Sequence, residues 1–223
     1  MITPQMNKLL DYLSTEEGLN FHKNTNELDI TSPYGIYKHE HPRAKIFTYL
    51  LKMVISLDVP RHTEDWTKDD INKVNTFLNM SPIVKLEIRK LAAEFYEEYY
   101  KAAHLELFPE EAVIAMVSMF TTSTRNATKA VQHAINECID NEFISHETLV
   151  VDGGFGNKTK TAMREILKLR IINGEFFGFM FEEKLIRHMT MIYDNLAYEN
   201  KSRYGKFRNG WRNRMNRLAE NRG

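Results

Sequence analysis

Cysteine is almost absent from this chain. Cys138 is the only one among 223 residues, so no intramolecular disulfide can form. No apolar run approaches the roughly 20 residues of a membrane-spanning helix, so no membrane span is expected. The opening Met-Ile-Thr-Pro-Gln lacks a basic stretch followed by an apolar core, so no signal peptide is expected. The expectation is a protein made in a cytoplasm, which reaches any target outside by another route. A charge imbalance is missing too: Lys+Arg and Asp+Glu are both 30, so net charge names no partner. There is no strand–helix alternation, internal repeat or low-complexity segment. "DGGFG" at 152–156 lacks the Gly-Lys-Ser/Thr ending of a phosphate loop. His39-Glu40-His41 lacks the i, i+4 spacing of a helical zinc site, so neither metal nor cofactor is expected.

What is present is helical periodicity. The 43% of hydrophobic residues suffice for a real core. Met6, Leu9, Leu10 and Leu13 recur at i, i+3, i+4, i+7 after Pro4. From Gly18 to about His41 no helical period is visible, and a small β-hairpin is expected there. Pro42 is expected to open a helix through Ile46, Phe47, Leu50, Leu51, Val54 and Ile55 that ends before Pro60. Thr67 and Asp70 have the spacing of a capping box. Ser81-Pro82 starts a long helix to about Ala103. Further helices follow Pro109, Asn126, Lys158 and Glu175, and a last one carries Phe207, Trp211, Met215 and Leu218. Asp152-Gly153-Gly154-Phe155-Gly156 predicts a tight turn with glycines at positive φ. The fold class is mainly α, with a soft boundary around Leu105–Pro109.

The adjacent Glu16-Glu17 is the pair that invites chemistry. At about 100° per residue, Glu17 falls in the middle of the Met6–Leu13 stripe and Glu16 at its edge. If the helix persists that far, Glu17 points where the leucines point. Partial desolvation there favours the protonated carboxyl that a general acid for glycosidic cleavage needs. If the helix has ended, both glutamates are solvated helix-end charge. Glu27 and Asp29 could orient a water or remain solvated loop. Thr31 or Ser32 could hydrogen-bond that water. Tyr34 could stack on a sugar face or pack in the core.

Glu17-Gly18, followed by a polar loop and Ser32-Pro33-Tyr34-Gly35-Ile36, resembles the start of glycoside hydrolase family 108. Those are N-acetylmuramidases of phages and Gram-negative bacteria. Glu17-Gly18-Leu19 is also similar to the Glu-Gly-Leu of small T4-type phage lysozymes. "EFYEEYYKAAHLELFPEEAVIAM" resembles the family's Ile-Tyr…Tyr-Trp…Leu-Pro region. "VDGGFGNKTKTAM" and "FRNGWRNRMNRL" resemble its C-terminal peptidoglycan-binding domain. The resemblance implies a lysozyme-like catalytic domain over residues 1–105 and a helical peptidoglycan-binding-like domain over 106–223. It implies cleavage of the bond between N-acetylmuramic acid and N-acetylglucosamine in peptidoglycan glycan strands. Glu17 would be the acid, Glu27, Asp29 and Ser32 would assist, and Thr31, Tyr34 and Gly35 would bind substrate. Such a protein would be a phage endolysin released through a holin, or a virion lysozyme, acting in the periplasm or cell wall.

The chain departs from that pattern. Leu19 stands for the second glycine of Glu-Gly-Gly, residues 26–31 hold none of the loop's glycines, and Ser32-Pro33 replaces Thr-Asn. The mid-chain motif is degraded to "VSMFTTSTRNA". The alternative is a catalytically inactive peptidoglycan-binding or structural protein on the same scaffold. The C-terminal stretch from Lys201 is strongly basic and interleaved with aromatics, which taken alone suggests nucleic-acid binding. Because its aromatics share one helix face with Met215 and Leu218, core packing is expected there instead, and no nucleic acid.

Overall fold

The computed structural model describes residues 4–23, 30–36, 38 and 41–220. It is mainly helical, with a single two-stranded sheet among the described residues. The chain divides into two compact units, Met1–Tyr99 and Tyr100–Gly223, a division ahead of the 105/106 boundary read from the sequence. No described helix is long and apolar enough to cross a membrane.

In the first unit, helix α1 (Pro4–Glu16) buries Met6, Leu9, Leu10 and Leu13, the stripe that its periodicity predicts. Strands β1 (His22–Lys23) and β2 (Ile30–Thr31) pair antiparallel, His22 opposite Thr31 and Lys23 opposite Ile30. Helices α2 (Lys45–Val54), α3 (Lys68–Met80) and α4 (Pro82–Ala102) follow. Helix α2 starts later than Pro42 suggested and ends at Val54, and Ile55, expected on its apolar face, caps the helix 72% exposed. Ala44 N–H donates to His41 O at 3.0 Å, so Pro42 sits in a turn before the helix, a position proline favours equally. The capping box is present: Asp70 N–H donates to Thr67 Oγ1 at 3.2 Å and Thr67 N–H to Asp70 Oδ2 at 2.8 Å. Ser81 Oγ accepts from Val84 N–H at 3.4 Å, capping α4. Arg89 of α4 pairs with Asp11 of α1 at 2.8 Å and also donates to Asn7 O.

The strand β1 is held from behind by side chains that grip backbone. The Asn75 amide of α3 accepts from Phe21 N–H at 2.8 Å and donates to Phe21 O at 2.9 Å. Lys23 Nζ donates to Glu64 O and Trp66 O, each at 2.8 Å. Trp66 is itself buried, with its indole N–H on Pro60 O at 2.8 Å. These contacts fix the entry to the hairpin independently of its short ladder.

The second unit is built around one long helix. Helices α5 (Glu110–Thr122), α6 (Thr124–Asp140), α7 (Asn157–Asn173) and α10 (Arg208–Glu220) all pack on α8 (Glu175–Glu199), and a short α9 (Lys201–Tyr204) precedes α10. Helix α6 buries Ala127, Ala130, Val131, Ala134, Ile135 and Cys138, as its period predicts. Burial pushes the Cys138 thiol up to about 12, which makes it inert packing. Arg170 of α7 pairs with Glu111 of α5 at 2.8 Å, and the Glu111 side chain is only 7% exposed. Gly178 of α8 lies directly against the Glu111 carboxylate, where a Cβ would collide.

Two amides on α6, one turn apart, hold the loop before α7. Gln132 donates to Asp152 Oδ1 at 2.8 Å and Gly154 O at 3.0 Å, and accepts from Gly153 N–H at 2.9 Å. Asn136 donates to Leu149 O at 2.9 Å and accepts from Leu149 N–H at 2.7 Å. Of the glycines in this turn only Gly153 has the expected positive φ, 79°, because the backbone passes tightly over Arg125 there. Gly156 is extended, at φ −82°.

Candidate active site

The helix α1 does carry its hydrogen bonding as far as Glu17, whose N–H donates to Leu13 O at 2.8 Å. The next residue, Gly18, turns the chain out of the helix at φ 81°, the left-handed ending that glycine takes without cost. Glu17 is therefore the last residue still in helical register, and it is half-buried. That is the condition under which it points along the apolar stripe. Glu16 closes the helix one residue earlier.

The segment after β2 folds back over this helix end. Ser32 N–H donates to Ile36 O at 2.9 Å and Lys38 N–H to Ile30 O at 3.1 Å, closing a narrow loop. Its tip is a turn, with Gly35 N–H on Ser32 O at 3.1 Å and Pro33 second. Tyr34 is third, at φ 67° and ψ 16°. Those angles are near the +80°, 0° of the third position in a type II turn, which usually takes glycine. A tyrosine there costs about 1–2 kcal/mol. Gly35 follows at φ 76° and packs on Glu17: a Cβ on it would lie 2.7 Å from Glu17 Cγ and 3.0 Å from Cδ. Tyr34 N–H donates to Gly18 O at 3.2 Å, joining the turn to the helix end a second time. Three residues at positive φ (Gly18, Tyr34 and Gly35) thus bracket one carboxyl.

The remaining residues named from the sequence divide as follows. Thr31 pairs with His22 in the sheet and is buried. Ser32 is fully buried and its hydroxyl donates to Pro33 O at 2.9 Å, so the hydroxyl holds the turn. The Tyr34 ring is 4% exposed and packs in the core, the alternative to stacking on a sugar. What Tyr34 contributes at the helix end is its backbone. Glu27, Asp29, His39 and Glu40 lie outside the described residues.

Helix α4 adds residues from the stretch "EFYEEYYKAAHLELFPEEAVIAM", to which motif reading gave no individual role. Tyr96 donates its hydroxyl to Tyr34 O at 2.6 Å in a buried setting. Tyr96 stands edge-on to Phe95 at 5.2 Å, and Phe95 edge-on to His41 at 4.9 Å. The Tyr99 hydroxyl meets His41 Nε2 at 2.8 Å. The signal for Tyr96 was in the helix period, since Ile88, Ala92 and Tyr96 recur every four residues on the buried face. Its partner, 62 residues away, carries no local signal.

At the C-terminal end the basic residues are partly spoken for. Arg208 and Arg212 both donate to Asp194, at 3.1 and 2.6 Å. Met215 and Leu218 are buried and Trp211 stacks on Tyr193 at 4.6 Å, as core packing requires. Phe207 departs from that expectation and is 45% exposed. It lies in a 3₁₀ turn over Gly205–Phe207, before α10 begins at Arg208, and its ring still stacks on Trp211 at 5.8 Å.

No family model, no curated protein and no solved structure matches this chain.

Proposed function

We propose that this chain is a peptidoglycan hydrolase, an N-acetylmuramidase of the family 108 type, with Glu17 as its general acid. One observation carries the reading. The two stretches that resemble the family, Glu17-Gly18-Leu19 and Ser32-Pro33-Tyr34-Gly35-Ile36, pack against each other, with Gly35 on the Glu17 side chain. In this reaction the Glu17 proton passes to the glycosidic oxygen as its bond to the N-acetylmuramic acid C1 breaks. Water supplies the new C1 hydroxyl, and a carboxylate takes its proton. The natural setting would be a phage endolysin or virion lysozyme acting in the periplasm or cell wall.

The test is digestion of purified Gram-negative peptidoglycan by the wild type beside Glu17→Gln, with products identified by mass. The expected result is release of fragments ending in reducing N-acetylmuramic acid by the wild type, reduced at least about 100-fold in the variant. An active Glu17→Gln would move the acid to Glu16. A folded but inactive wild type would favour a second reading, a peptidoglycan-binding protein without catalysis. The commitment of the Ser32 hydroxyl to Pro33 O and the burial of the Tyr34 ring both support that second reading.

A further inference from the structure

The turn that presses on Glu17 is strained at one residue, and one side chain outside the turn holds that residue. Tyr34 occupies a backbone position suited to glycine, at φ 67°. Its carbonyl accepts the Tyr96 hydroxyl at 2.6 Å, a side-chain hydrogen bond that reaches the turn from α4. Tyr96 is itself immobilised. It is buried on α4, and Phe95 stands edge-on to it at 5.2 Å. The carbonyl of Tyr34 belongs to the peptide that enters Gly35, and Gly35 touches the Glu17 side chain. A rotation of that peptide would move Gly35 off or into the carboxyl.

We infer that Tyr96 is a positioning residue for Glu17, acting through the Tyr34–Gly35 peptide. This rests on the muramidase reading above. The hydroxyl holds the peptide in its left-handed setting, and the peptide limits where the Glu17 carboxyl can lie. Backbone strain concentrated beside a reactive group is a usual way to fix its geometry. A purely structural tyrosine would contribute stability and leave turnover per folded molecule alone.

The test uses the full chain and soluble uncrosslinked glycan strands as substrate. Tyr96→Phe removes the hydroxyl and keeps the ring. The expected result is a kcat about tenfold lower with KM within about twofold, since a small displacement of the acid affects the transition state more than binding. Thermal unfolding of the same variant reports stability separately. The second arm repeats Tyr96→Phe in a Tyr34→Gly background. Glycine adopts the left-handed angles unaided and also empties the buried place of the ring. In this arm kcat is therefore taken per folded molecule with and without Tyr96→Phe, and the effect of losing the hydroxyl should shrink to under about twofold. A normal kcat in Tyr96→Phe, with only the unfolding midpoint lowered, would overturn the inference and leave the muramidase reading standing. An equal tenfold loss in both backgrounds would overturn the route through Tyr34. A wild type that cleaves nothing would overturn both readings together.

Discussion

The two units solve the problem of holding their parts in different ways. In the first, side chains reach across the chain to grip backbone: Asn75 on Phe21, Lys23 on Glu64 and Trp66, Tyr96 on Tyr34. Three residues at positive φ gather at one helix end. In the second, where Gln132 and Asn136 also hold a loop by its backbone, helices surround α8 and ion pairs tie them: Arg170 to Glu111, and Lys184 and Arg187 to Glu137, with His188 hydrogen-bonded to the same carboxylate. The first arrangement gathers conformational cost at one helix end, and the second ties helix to helix through ion pairs. Strain kept beside a half-buried carboxyl is a feature of sites; ion pairs along helices are a feature of scaffolds.

Gly35→Ala should break the first arrangement outright. The new methyl would meet Glu17 Cγ at 2.7 Å, and alanine resists φ 76°. On the proposed muramidase reading, the expected outcome is a loss of turnover of about 100-fold together with about 2 kcal/mol of stability. Kinetics on soluble glycan strands and chemical denaturation of the same preparation check it. A Gly35→Ala protein with normal turnover would show that the turn does not set the carboxyl.

Arg170→Met probes the second arrangement. It leaves the Glu111 carboxylate, 7% exposed, without its guanidinium. The expected cost is about 3 kcal/mol in urea denaturation, with turnover per folded molecule unchanged. A fall in turnover would erase the contrast between the units.

Acid should loosen the second arrangement more gently. Burial pushes the Glu137 carboxyl up, but hydrogen bonds from Lys184, Arg187 and His188 outweigh it and hold it at about 2, below its usual 4.5. A carboxyl depressed in the fold stabilises above its unfolded value and loses that contribution as pH falls from about 4.5 towards about 2. His188 is held below its usual range by burial first, then by the neighbouring His133 against the pull of Glu137. Its neutral form is favoured, so its contribution is present above 6.5 and declines as pH falls below that value. Both signs point the same way. Glu137→Gln should flatten the acid limb of a stability–pH curve by about 2 kcal/mol, checked by denaturation between pH 5 and about 2. An unchanged curve would remove Glu137 from the account.

The helices were legible because each writes its own period. The α6 residues Ala127 to Cys138 and the α1 leucines are buried as that period requires, and Thr67 caps Asp70 through three residues of local sequence. Glu17 could be placed on the apolar stripe for the same reason. The failures share a different cause. Pro42 reads alike at a helix start and in a turn. Phe207 fits the α10 period on paper, but it lies in a 3₁₀ turn that precedes the helix. The contacts of Gly35 with Glu17 and of Tyr96 with Tyr34 join segments far apart in the chain, and nothing nearby announces them. The place of Gly35 against Glu17 is a matter of tertiary packing.

The α6 amides read the loop at 149–154 by its backbone, at Leu149, Gly153 and Gly154, apart from a single carboxylate at Asp152. Gln132 and Asn136 are one helical turn apart, so they work as a gauge of fixed span. Such a gauge is indifferent to most side chains that the loop displays, Val150 among them. It is intolerant of a change in the loop's length. One residue added between Leu149 and Gly153 would let only one of the two amides engage. Descendants of this chain are thus free to redecorate that surface and obliged to keep its count.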